Sequence, residues 1–267
     1  SMTTLGVIGA GVMGETLMAG LLRAGWEPDQ ITAADRHAAR LAELGKRYGI
    51  GTGSTAEVSA QSDTVVIVVK PQDTGEVLPV VAAAIRPGTL VVSLCAGVST
   101  AQIEAAMPAG TPVVRVMPNT PAQVDEGMAA ISPGTSATEE HLDHVSALLA
   151  AVGKVITVPE KYQDAVTAIS GSGPAYLFFV VEAMIDAGVM LGLPRDTATT
   201  LVVQTMYGSA KLLSESGEHP TVLRERVTSP GGTTAAALRQ LEDHSVKAAF
   251  ITAMEAARDR SRALAQS

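Results

Sequence analysis

The chain holds a single cysteine, Cys95, among 267 residues. No intramolecular disulfide can form, so the fold rests on its apolar core, as expected in a reducing compartment. Aromatic residues make up only 3% of the sequence, which argues against a surface for stacking bases or sugars. Cations are in deficit: 19 Lys and Arg face 27 Asp and Glu, for a net charge of −8. So acidic a chain repels phosphodiester backbones and anionic lipid, and excludes nucleic acid and membrane as expected partners. The apolar run at 175–181 is followed by Glu182 and Asp186 and is too short to span a bilayer. No basic segment leads into an apolar stretch with a cleavage site, so the expected location is cytoplasmic.

Hydrophobic residues are abundant, at 46%, enough for a sizeable core. Apolar runs of strand length at 4–10, 31–35, 64–70, 90–95, 113–117, 128–132 and 155–158 alternate with helical patterns. That alternation predicts an α/β fold: an N-terminal Rossmann-type domain with a mostly parallel sheet and helices on both faces. After Pro159 no further strand pattern follows. The spacing there predicts a long helix over 160–191, bent around Gly171, Gly173 and Pro174, then helices punctuated by Gly192, Pro194, Gly217 and Pro220. The expected organisation is a domain at 1–159 and an all-α domain at 160–267. Several helices of the second are apolar on more than one face, so subunits are expected to share it as an interface.

Leu5 to Gly14 reads L-G-V-I-G-A-G-V-M-G, a strand breaking into G-x-G-x-x-G at Gly9, Gly11 and Gly14. With Ala10, Val12 and Met13 these residues form the expected phosphate-binding turn of a dinucleotide site. Asp35, 21 positions beyond Gly14, ends the next strand, where a carboxylate would take the ribose diol of NADH. Arg36 beside it would pair with the 2′-phosphate of NADPH, and the two residues leave both cofactors open. The competing reading makes Asp35 the N-cap of a helix over 36–48. Val68, Lys70 and Pro71 close another strand, placing Lys70 at the crevice where ligands collect, against cofactor or substrate. Asn119 and Thr120, inside R-V-M-P-N-T-P-A, end a further strand where an amide and a hydroxyl could orient a nicotinamide. His141 and His144 sit one helical turn apart with no third ligand nearby, so no metal is expected.

Val227 to Thr234 reads V-T-S-P-G-G-T-T and runs into the alanine-rich stretch 235–242. Gly231 and Gly232 allow close backbone approach, and the first amides of a following helix lack carbonyl partners, so a small carboxylate could sit there with Thr233 and Thr234.

Taken together, G-V-I-G-A-G-V-M-G, V-V-K-P, R-V-M-P-N-T-P-A, S-G-S-G-P-A-Y and V-T-S-P-G-G-T-T-A-A-A-L resemble the pyrroline-5-carboxylate reductase family over nearly the whole chain. The resemblance implies reduction of the cyclic imine 1-pyrroline-5-carboxylate to L-proline with NADPH or NADH. It implies that residues 9–14, Lys70 and Ala96 line the cofactor. Thr167, Gly231, Gly232, Thr233 and Thr234 would surround the substrate, with Thr167 near the ring nitrogen. It also implies a dimer through the helical domain, within a decamer. Many members carry a neutral residue where Asp35 stands, which sets the usual NADPH preference against this sequence. A 3-hydroxyacid dehydrogenase is the rival reading. Such enzymes carry a lysine and an asparagine where this chain has Leu177 and Val181, and alcohol oxidation needs a group to take the hydroxyl proton.

Overall fold

Runs of Val, Ile, Leu and Ala without polar alternation belong in strands covered on both faces, and that is where they lie. In a computed structural model of the chain, which describes residues 3–265, the described residues form one eight-stranded sheet. Its strands are β1 (Leu5–Ile8), β2 (Ile31–Ala34), β3 (Gly51–Thr52), β4 (Thr64–Ile67), β5 (Leu90–Ser93), β6 (Val113–Met117), β7 (Gly127–Pro133) and β8 (Gly153–Thr157). The order is β3-β2-β1-β4-β5-β6-β7-β8. Register is in step at the centre, Leu5 lying against Ile31 on one side and Thr64 on the other. Successive side chains point to opposite faces and feed two cores. Leu5, Val7, Val66 and Val92 pack with Leu17, Met18, Leu21 and Val145. Ile8, Val65, Ile67 and Val91 pack with Val58, Leu78, Val81 and Ile103.

Two features depart from the sequence reading. β3 is only two residues long, too short to leave a pattern. β7 runs antiparallel to β6, because residues 118–126 hold only the short helical turn Thr120–Val124. A parallel return would need a crossover of a dozen residues or more.

His144 is a further departure, for it is not on a solvated face. Its Nε2 lies 3.1 Å from the Thr64 hydroxyl. Burial, the nearby His141 and, in opposition, Asp63 leave its pKa below the usual histidine range. His141 instead belongs to the capping box with Thr138 that opens the helix Glu139–Leu149.

The chain divides into two compact units, one of residues up to Ser172 with the C-terminal segment from Ala257, the other Gly173–Ala256. The division thus falls later than the change of pattern at Pro159. The reason is local: Gln163, almost fully buried, donates from Nε2 to the Ala130 carbonyl and the Ser132 hydroxyl of β7. Glu160 also belongs to this unit. It accepts from the Thr100 amide at 2.8 Å and hydroxyl at 2.7 Å, and pairs with Arg115 at 3.2 Å.

The second unit is helical. Gly173–Met190 and Arg195–Ser216 pack closely where Gly188 meets Ala198, a contact that a Cβ on Gly188 would fill. Leu177, Phe178, Phe179, Met184, Leu201 and Val203 stay exposed, an apolar surface of the kind that marks an interface. Residues 175–181 alone are short, yet Glu160–Met190 is continuous and apolar enough to cross a membrane by length and composition. Helices at subunit interfaces share that composition.

Candidate active site

β1 delivers the chain to Gly9, whose φ of +108° is open only to a residue without a Cβ. A Cβ there would strike the Val68 carbonyl, and one on Gly14 would strike the Gly9 carbonyl. One on Gly11 would meet nothing within 4 Å, so the turn is tight at its ends and open in the middle. The helix Val12–Arg23 follows with no side-chain cap. Its first internal bond runs from the Glu15 amide to the Gly11 carbonyl at 3.0 Å. The amides of Val12, Met13 and Gly14 therefore have no helical acceptor, and with the positive end of the helix they suit a pyrophosphate. Glu15, at this anion seat, is offset by Arg40 at 3.3 Å and Arg47 at 3.0 Å.

Asp35 is not a helix cap. The helix begins at Ala38 with His37 in the cap position, because Asp35 is engaged on the turn. Its Oδ2 accepts from the Ala10 amide and its Oδ1 from the His37 amide, each at 2.7 Å. Arg40 completes the clamp by donating from Nε to the Ala10 carbonyl at 2.9 Å. Glycine spacing says nothing of Arg40, and only the assembled turn reveals it.

Gly9, Gly11, Asp35, Arg36, Val68 and Lys70 come together around one cavity of about 330 Å³ at the carboxyl ends of β1, β2 and β4. Its remaining wall includes Thr55, Asp73, Glu76, Val77 and Val80, which sequence spacing had not singled out. Ala10 is fully buried and contributes through its backbone. Val12 and Ala96 are exposed outside this lining, and Pro71 opens the short helical turn Pro71–Asp73. Cys95 is buried with its thiol 3.6 Å from the Ile67 carbonyl. Burial pushes its pKa up, as for a small buried structural residue.

Asn119 is engaged on the backbone at both ends of its amide. Its Nδ2 donates to the Ser170 carbonyl at 3.1 Å, and its Oδ1 accepts from the Met128 amide at 2.8 Å. It braces β7 against the π-helical turn Thr167–Gly171; with Met13 it lines a separate cavity of only about 20 Å³. The π turn is the form taken by the bend expected near Gly171, and such turns concentrate at functional sites. It carries Thr167, whose hydroxyl donates to the Gln163 carbonyl at 2.9 Å. With its proton so committed, the Thr167 oxygen is left with lone pairs free to accept a hydrogen bond.

In the helical unit, the loop after Pro220–Arg226 turns at Gly231, φ +71°, and Gly232 caps Thr233–Asp243 with no side-chain bond. The first helical bond is Ala236 amide to Gly232 carbonyl, 3.2 Å. The amides of Thr233, Thr234 and Ala235 are left without helical acceptors, and a Cβ on Gly231 would meet open space. Open helix-start amides of this kind favour a small anion.

An open sheet whose strand order reverses between β1 and β4, with its crevice at that switch, is the dinucleotide-binding arrangement that nicotinamide oxidoreductases use. Residues 4–97 match a family described as NADP oxidoreductase, coenzyme F420-dependent, and residues 160–264 match pyrroline-5-carboxylate reductase dimerisation. Pyrroline-5-carboxylate reductase of Corynebacterium melassecola is 45% identical over 98% of this chain and 99% of its own. That of Mycobacterium tuberculosis is 43% identical over 98% and 97%. Among solved structures, the Coxiella burnetii reductase superposes with a TM-score of 0.94 at 33% identity, covering 99% of both chains. The Plasmodium falciparum enzyme, with NADP bound, gives 0.88 at 31% identity over 98% of each. The chain belongs to the pyrroline-5-carboxylate reductase family.

Proposed function

We propose that the chain reduces 1-pyrroline-5-carboxylate to L-proline, with NADPH or NADH as reductant. The observation that carries this reading is the loop at Gly231–Thr234, where three helix-start amides stand open behind a glycine turn. A reduced nicotinamide held at the glycine turn would supply the hydride for C5 of the ring, the C=N electron pair passing to the protonated nitrogen. The protein's own work is to hold and to orient. The amides of Thr233 and Thr234 with the Thr234 hydroxyl bind the carboxylate. Thr167 accepts a hydrogen bond from the protonated imine, its own proton held by Gln163. A protonated imine is already electrophilic, so no dedicated acid is needed and the proton arrives from solvent before binding. Lys70, exposed at the crevice, adds positive charge beside the cofactor. Gly9, Gly11, Gly14 and the amides of Val12 and Met13 seat the pyrophosphate, with Val68 in the wall of the crevice beside it.

The helical unit pairs two chains as a dimer, and the resemblance extends this to a decamer. The location is the cytoplasm, with neither nucleic acid nor membrane as partner, in keeping with the net charge of −8. Purified protein mixed with 1-pyrroline-5-carboxylate and each reduced nicotinamide should oxidise it with formation of proline. A protein that binds the nicotinamide without turnover would defeat the reading.

A further inference from the structure

The adenosine end of the cavity holds more acid than a site for a phosphate dianion calls for. Asp35, Asp73 and Glu76 line it with Arg36. Asp35 is turned onto the Ala10 and His37 amides, so it leaves Arg36 free of itself. Arg36 is nevertheless taken: its Nη1 lies 3.4 Å from Asp73 Oδ1. Asp73 stands at the cap position of the helix Thr74–Ala84 without a side-chain cap bond, and Arg36 is its ion-pair partner among the described residues.

We infer that Asp73 sets the selectivity between NADPH and NADH by acting as the built-in counter-ion of Arg36. This rests on the reductase reading above. The 2′-phosphate of NADPH needs a cation, and Arg36 is the guanidinium at the end of β2. To reach it, the phosphate must displace a carboxylate and then tolerate that carboxylate at close range. The 2′-hydroxyl of NADH meets neither obstacle. Arg36 is 64% exposed and Asp73 22%, so the pair is weak enough to exchange. The consequence is a chain that uses both cofactors with little discrimination. Asp73 is a positioning residue, working through Arg36.

The test titrates 2′,5′-ADP and 5′-ADP into the full-length protein by calorimetry, for wild type, Asp73→Asn, Arg36→Ala and the double variant. The readout is the ratio of the two dissociation constants. Asp73→Asn should shift that ratio about three- to tenfold toward 2′,5′-ADP, as expected for removing one partly exposed like charge. In the Arg36→Ala background the shift should shrink, since the effect runs through the guanidinium. An unmoved ratio, a shift toward 5′-ADP, or an equal shift without Arg36 would overturn the assignment. The same ratio should appear in kcat/KM for NADPH against NADH. Wild type that binds both probes but never reduces 1-pyrroline-5-carboxylate would sink the reductase reading and leave the titrations to decide Asp73.

Discussion

Asn119 holds the carbonyl of Ser170 at 3.1 Å, so the end of β6 and the π turn carrying Thr167 are tied by a side chain rather than by the backbone ladder. The same amide group takes the Met128 amide on its other face. Replacing Asn119 with Ala leaves two backbone groups without partners and costs about 1–3 kcal/mol of stability for such partly buried groups. Activity should fall mainly through kcat and the substrate KM, with cofactor affinity less affected. Urea unfolding and steady-state kinetics on one preparation separate the two effects.

Thr167 separates hydrogen bonding from packing. Thr167→Ser keeps the oxygen and should retain most activity. Thr167→Val keeps the shape but leaves the ring nitrogen unpaired, and should lose roughly ten- to a hundredfold in kcat/KM, the scale of one lost polar contact to a charged group. Equal losses in both variants would mean that Thr167 acts by packing alone.

The carboxylate seat predicts a specific intolerance at Gly231. With φ at +71°, Gly231→Ala strains the backbone by roughly 1–2 kcal/mol in a conformation L-residues avoid. Space is available, since a Cβ there meets nothing within 4 Å. The expected signature is a raised KM for substrate with nicotinamide affinity unchanged, because the cofactor turn lies in the other unit.

Glu160 makes stability depend on pH. Burial raises its pKa, but the Thr100 hydroxyl and amide and the Arg115 guanidinium outweigh it and hold the carboxyl below its ordinary 4.5. A depressed carboxyl pKa gives stability that is complete above the unfolded value and lost as pH falls through the folded one. Wild type should therefore exceed Glu160→Gln by about 1–2 kcal/mol at neutral pH, as for a hydrogen bond to a charged group. The gap should close as pH drops below 4.5. Denaturant midpoints of both proteins across that window measure it, and a gap independent of pH would contradict the assignment.

Long apolar runs such as β1, β4 and β5 were legible because burial on both faces removes polar residues and leaves a strong signal. The short β3 and the reversed β7 were not, since one has too few residues for a pattern and direction depends on the length of a connection. The glycine turn, Asp35, Arg36, Val68 and Lys70 were legible as a crevice because they follow strand ends. Asp73 and Glu76 were not, since they reach the cavity from helical segments whose sequence carries no spacing rule, and neither was Arg40, which clamps the glycine turn from its helix. The backbone partners of Asp35 and Asn119 were not legible either, because the amides and carbonyl they engage are brought together only by the fold.

The proposed reduction depends on the Gly231–Thr234 turn as the seat of the substrate carboxylate. Steady-state kcat/KM for 1-pyrroline-5-carboxylate in wild type and Thr234→Ala tests it most directly. Wild type should form proline, and the variant should lose about tenfold or more, for loss of a bond to a carboxylate. Identical constants for the two proteins, or oxidation of neither nicotinamide by wild type, would contradict it.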